Sequence, residues 1–197
     1  TKSTPGKVQP TTPVVPKGLL SKLAKQNQIP VRYFSKLADM DCLEFMRSCE
    51  PDVIINLSGV YVPRELLSLP KLGVLSGHYG FLPVLRGGDT IRWTIWLDLP
   101  MVVSHMFLAP ELDMGDILRT SPIPVTRGDT IACIRKKCQM AVVEGHLEIL
   151  DSIARGSLKR RVQRKAEGSV FFMMGRHLRK QVDKKLELGL YENYAGS

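Results

Sequence analysis

Apolar residues recur in short runs separated by polar, proline-rich breaks, and the spacing inside successive runs switches between helical and extended periods. Leu19, Leu20, Leu23 and Ala24 predict a short amphipathic helix within Lys17–Asn27. Ile29, Val31, Tyr33 and Phe34 flank Pro30 and predict an edge strand over Gln28–Phe34, where proline is tolerated. Cys42, Phe45, Met46 and Cys49 fall on one side of a helix over Asp39–Cys49. The β-branched run Val53–Leu57 predicts a strand buried on both faces, as in a parallel sheet. Pro63 is placed to open a helix running to Leu67. Leu72–Leu75, Met101–Leu108 and Ile117–Val125 read as further strands. Between the first two, Asp89 is placed as the N-cap of a helix carrying Ile91, Trp93, Ile95 and Trp96. A long helix, or a pair broken near Gly145, follows Asp129. Phe171–Leu190 stacks Met174, Leu178, Val182 and Leu186 on one helical stripe.

Alternation of helix and strand predicts an α/β layered domain, a doubly wound, Rossmann-like sheet. Such a sheet usually opens with a strand, a Gly-rich turn and a helix, and nothing before Lys17 supplies them, so the first strands of the fold are expected to be missing. The expected organisation is a loop or linker over 1–16, an α/β domain over 17–157 and a basic, mainly helical extension over 158–197.

Composition sharpens this picture in three places. No run reaches the roughly 18 consecutive apolar residues that a bilayer span needs, and no signal peptide is visible. The four cysteines, Cys42, Cys49, Cys133 and Cys138, show no C-x-x-C spacing; they read as buried free thiols and suggest a cytoplasmic location. The net charge of +9 is concentrated in residues 155–185, which hold eleven Lys/Arg against Glu167 and Asp183. The remainder is neutral. Lys159–Lys165 could neutralise RNA phosphates, but a solvated strand or loop crossing the domain is the favoured reading. The last helix reads as packed onto the domain or onto a second copy in a homodimer, rather than onto a membrane.

In α/β sheets ligands bind beyond the carboxyl ends of the strands. There the chain offers Ser58–Val62, Ser76–Gly88 and Ala109–Gly115. The second loop carries Ser76 and His78, the third Asp113. A histidine can pass a proton either way near neutral pH, and a carboxylate beside it can orient the ring and stabilise its charged form. That chemistry suits acyl transfer to an amine or alcohol. His105, on the face of its strand opposite Met106, reads as a hydrogen-bonded sheet histidine.

Longer motifs narrow the class. Ser76-Gly77-His78-Tyr79-Gly80-Phe81-Leu82-Pro83, with Gly87 beyond it, resembles the Asn-x-His, x-Ser-Leu-Leu-Pro signature of the folate-dependent formyltransferases. Leu112-Asp113-Met114-Gly115-Asp116-Ile117-Leu118 resembles that family's Leu-Asp-Thr-Gly-Asp-x-Leu turn. Gly59–Pro70, Ser121–Pro124, Asp129-Thr130 and the Pro5–Lys17 loop extend the resemblance to roughly residues 5–157. It implies that 10-formyltetrahydrofolate donates a formyl group, with His78 polarising and handling protons, Asp113 assisting it, and Val60, Tyr61 and Val62 lining the folate. It implies no metal. The family's asparagine is replaced by Ser76, whose hydroxyl offers one hydrogen bond on a shorter arm. The forty or so residues after Gly156 do not match the carboxyl-terminal barrel of the tRNA enzymes, so the expected acceptor is a small primary amine, such as an amino sugar. Two alternatives stand beside it: a methionyl-tRNA formyltransferase-like protein, and a formyltransferase-like module that binds without turnover.

Overall fold

A computed structural model describes residues 18–196; the expected opening loop lies outside them. The centre is a four-stranded sheet of β1 (Val53–Asn56), β2 (Gly73–His78), β4 (Val102–Phe107) and β5 (Ile117–Pro122), in the order β1-β2-β4-β5. β1 and β2 are parallel, whereas β4 runs antiparallel to both β2 and β5. The architecture is therefore mixed α/β. The alternation of helix and strand did not reveal that β4 enters reversed.

A 24-residue helix, α5 (Ile131–Ala154), covers one face of the sheet. Its approach is close: a side-chain carbon at Gly77 of β2 would lie 2.5 Å from Val142, and one at Gly145 of α5 would lie 2.3 Å from the His105 ring. Gly145 does not break the helix, as the sequence suggested it might. It makes room for a β4 side chain. The N-cap is Thr130, whose side chain accepts the Cys133 amide.

The other face carries Val74, Ser76 and His78 from β2. It is covered by α2 (Met40–Ser48), α3 (Arg64–Leu67) and the loop that leads to β3 (Leu85–Gly87). β4 is buried along its whole length. β1 is not buried on both faces: it is the edge strand among the described residues, and Ile55 is 42% exposed. A β-branched run has the same composition at an edge as in the interior.

Gln28–Phe34 forms no strand, because no sheet edge pairs with it; Ile29, Val31 and Tyr33 stay exposed, as does all of α1 (Leu19–Gln26) apart from partial cover. The thiols are all free, but only Cys42 and Cys138 are buried; Cys49 is exposed and Cys133 half-buried.

After α5 the chain returns across the sheet. β6 (Ser169–Phe171) pairs in parallel with β3 as a second, two-stranded sheet, so the expected helix begins only at α6 (Arg176–Glu187). Val182 and Leu186 of α6, with Met174, Tyr191 and Tyr194, join the same core as Ile134 and Cys138 of α5 and Ile91 and Ile95 of α4 (Thr90–Trp96). Asp89 precedes α4 in the left-handed region, with φ 55°, and does not cap it by a side-chain hydrogen bond. Its buried carboxylate instead meets Arg179 at 3.0 Å and the Met174 amide at 3.3 Å, tying α4 to α6.

Candidate active site

β2 continues three residues beyond the apolar run that marked it, so Ser76 and His78 lie within the strand and, two apart, on one face. His78 is 8% exposed. Its Nε2 lies 2.8 Å from the Leu85 carbonyl; a carbonyl only accepts, so Nε2 carries the proton. Its Nδ1 stands 3.5 Å from Asp113 Oδ2, an ion-pair separation rather than a short hydrogen bond. A second proton on the ring would therefore face a carboxylate already in place.

Gly80 fits this geometry. A side-chain carbon there would lie 2.7 Å from His78 Nε2. With the ring turned toward Leu85, a side chain at this position of the signature would meet it.

Asp113 reaches His78 from a turn held by backbone constraints. Its φ is 51°, in the left-handed region where Asp is tolerated. Its Oδ2 accepts the Gly87 amide at 2.7 Å, which fixes the carboxylate against the end of β3. Gly115, in the same turn, packs where a side-chain carbon would be 1.6 Å from the Phe107 carbonyl oxygen, so no other residue fits there without moving the turn.

Ser76 is buried beside Asn56 of β1 and Met106 of β4, and its hydroxyl makes no hydrogen bond among the described residues. Of the three residues expected to line a folate, Val62 is buried in the cluster with Leu43, Leu66 and Val74, while Val60 and Tyr61 are exposed. The peptide groups of Tyr61 and Val62 make no hydrogen bonds among the described residues, so they are free to pair with a ligand edge. A cavity of about 300 Å³ opens on the other side of His78, bounded by Tyr79, Thr90, Arg135 and Met173. Arg135 has no carboxylate partner among the described residues. No group of three His, Cys, Asp or Glu side chains among them could hold a metal ion.

The family model described as "Formyl transferase" matches residues 11–150. The chain belongs to the formyl transferase family. It is 31% identical over 158 residues to a methionyl-tRNA formyltransferase of Geobacillus thermodenitrificans, covering 75% of this chain and 50% of that protein. It thus spans about half the length of the curated relatives it matches. Among solved structures, a 4-N formyltransferase from Francisella tularensis superposes with TM-score 0.61 at 16% identity, over 90% of this chain and 74% of that one. The formyltransferase PseJ from Anoxybacillus kamchatkensis, solved with UDP-4,6-dideoxy-4-formamido-L-AltNAc and tetrahydrofolate, superposes with TM-score 0.55 at 18% identity, over 80% and 81%. At such identities the structural likeness establishes the fold.

Around this candidate site the structure adds residues that sequence reasoning missed. Gln163, 6% exposed, donates from Nε2 to the Asp113 carbonyl at 3.0 Å and to the Gly115 carbonyl at 2.7 Å. Arg86, 2% exposed, donates to Gln163 Oε1 at 3.3 Å and to the Arg164 and Lys165 carbonyls at 2.9 and 3.2 Å. Ser104 of β4 donates to the Gly80 carbonyl at 2.7 Å and accepts the Leu82 amide at 3.1 Å. A polar residue inside an apolar strand was the available signal for Ser104. Gln163 and Arg86 gave none, because most of their partners are peptide groups that any sequence supplies.

His105 and His146 lie on the α5 side of the sheet, away from this site. His105 Nε2 pairs with Ser121 Oγ at 2.9 Å, as a sheet histidine should, but its Nδ1 has no partner. Burial, then the neighbouring His146 and Arg119, push His105 down to about 3.

Proposed function

We propose that this chain transfers a formyl group from 10-formyltetrahydrofolate to a primary amine of a small acceptor. The observation that carries this reading is His78, buried between the Asp113 carboxylate and the Leu85 carbonyl beside an open cavity of about 300 Å³. We read the described sheet as the carboxyl-terminal part of a doubly wound, Rossmann-like formyltransferase fold. The folate lies against Val60, Tyr61 and Val62, the unpaired peptide groups of Tyr61 and Val62 suit a pterin edge, and the acceptor enters the cavity under Arg135. The unpaired guanidinium favours an acceptor with an anionic substituent, which an amino-sugar nucleotide supplies.

Bound folate supplies an activated formyl carbon. The acceptor nitrogen bonds to that carbon, the carbon's bond to the folate nitrogen breaks, and one proton passes from the amine to that nitrogen. Ser76 and His78 donate toward the oxygen on which negative charge develops. His78 exchanges the Leu85 carbonyl for this oxygen when the site is filled, a change of partner common between empty and occupied sites. Asp113, facing Nδ1, stabilises positive charge on the ring while Nε2 donates to the oxygen.

Turnover is tested by supplying 10-formyltetrahydrofolate with a panel of small amines and with methionyl-tRNA, and measuring tetrahydrofolate release. Release with a small amine is expected, falling by about a hundredfold or more in His78→Ala and Asp113→Ala. Release with methionyl-tRNA alone would select the second reading, which the names of the curated relatives favour. No release with any acceptor would select a binding module, the reading that Ser76 favours.

A further inference from the structure

Ser76 leaves the developing oxyanion with a donor on a short arm, and the parallel register places another donor beside it. Asn56, the last residue of β1, pairs with Ser76 of β2. Paired residues of neighbouring strands project from the same face, about 4.8 Å apart. Ile54 and Val74, the pair before, both pack into the cluster under α2 and α3, which confirms the face. Asn56, Ser76 and His78 therefore share one surface at the carboxyl ends of the two parallel strands.

The amide of Asn56 is oriented. Its Oδ1 accepts the Ser58 amide at 3.1 Å and the Ser58 hydroxyl at 2.7 Å. A peptide N–H can only donate, so the end facing Ser58 is the oxygen. Nδ2 then points away from Ser58, and it has no partner among the described residues. A side-chain amide whose oxygen is held twice and whose N–H groups are free is a preorganised donor.

We propose that Asn56 Nδ2 is the amide donor to the formyl oxygen, reaching from the neighbouring strand to add to the single hydrogen bond that Ser76 offers. Ser76 donates its one hydrogen bond beside it. The proposal rests on the formyl-transfer reading above and adds a catalytic residue to it.

Asn56→Asp tests it, because the carboxylate still accepts from Ser58 and only the donor is lost. Asn56→Ala checks that no new charge is responsible, and thermal melts confirm that each variant is folded. The first measurement is binding of 10-formyltetrahydrofolate, without acceptor, against tetrahydrofolate to the full chain. The wild type should prefer the formylated ligand, and both variants should lose about tenfold of that preference while holding tetrahydrofolate as before. The second is turnover, expected to fall by about a hundredfold with the acceptor KM unchanged. Ser76→Asn should restore about tenfold or more in the Asn56→Ala background and change the wild type by less than about threefold. Variants that keep both the preference and the turnover would overturn the assignment, as would a large gain from Ser76→Asn in the wild type. A wild type that binds neither folate removes the underlying reading and the assignment with it. Wild-type turnover that survives Asn56→Ala removes the assignment alone.

Discussion

Gly115 and the histidine pair behind the sheet show how single positions set the limits of the site. With the Phe107 carbonyl 1.6 Å from where a side-chain carbon would sit, Gly115→Ala must push the Asp113 turn off the end of β4. A loss of about 3 kcal/mol is expected from the overpacking alone. Turnover should fall further than stability, because the same turn aims the carboxylate at His78. Urea melts alongside tetrahydrofolate release would show the two losses separately. His105 and His146 make a prediction of a different kind. Burial lowers the pKa of both rings, and His146 has no hydrogen-bond partner for either nitrogen. Unfolded imidazoles take up protons below about pH 6.5 that the folded rings refuse. Their stabilising contribution is therefore complete above that pH and is lost on acidification, for His105 down to about 3. For His105 the slope approaches about 1.4 kcal/mol per pH unit. Replacing His146 with Leu removes no hydrogen bond and should flatten the dependence. Urea midpoints at pH 7.5 and pH 5 that fall equally in wild type and His146→Leu would rule this out.

At the scale of elements, the site is held by a clasp that arrives late in the chain. Residues 161–171 cross the sheet, bridge Arg161 to Ile117, place Gln163 under the Asp113 turn, and pair β6 with β3. Gly87 in β3 lies so close to Phe171 that a side-chain carbon would be 2.1 Å from its carbonyl oxygen, and its φ of 96° also requires glycine. Gln163→Leu should therefore cost about 3 kcal/mol, leaving two buried carbonyls and part of Arg86 unpaired. Its kcat should fall while tetrahydrofolate binding holds, because the loop we propose to hold the folate, Val60–Val62, is elsewhere; a change confined to affinity would contradict a positioning role. This clasp explains what the sequence concealed. His78 and Asp113 were legible, because their motifs are contiguous and chemically distinctive. The helices α2, α3, α5 and α6 and the strands of the main sheet were legible too, since periodicity marks elements that bury one face. Strand direction was not, because β4 has the same apolar run whichever way it enters. Nor was β6, three residues whose pairing depends on β3 more than eighty positions away. The edge strand expected at Gln28–Phe34 failed for the converse reason: the local pattern was present but no partner strand was.

At the scale of the whole molecule, the basic surplus of residues 155–185 is partly consumed in joining the last segment to the rest. Arg179 meets the buried Asp89, Lys185 meets Asp98, and Arg161 meets Glu167, while Arg160 stacks over the Phe107 ring at 4.8 Å. Around these contacts the tail completes the core: Val182 and Tyr191 are almost fully buried, the Tyr191 hydroxyl donates to the Leu99 carbonyl at 2.6 Å, and the Ala195 amide donates to the Val125 carbonyl at 2.8 Å. Truncation after Ser157 would expose the apolar sides of α4 and α5 together with the carbonyls that Gln163 and Tyr191 satisfy. Each large side chain uncovered costs about 1.5–3 kcal/mol, so the loss of five of them is comparable with the roughly 5–15 kcal/mol that holds a typical domain together. We therefore expect the shortened chain to lose its cooperative thermal transition and the full chain to keep it. Differential scanning calorimetry of the two decides the matter. A shortened chain that melts cooperatively would mean that the α/β domain stands without its last segment, and that the clasp serves the Asp113 turn alone.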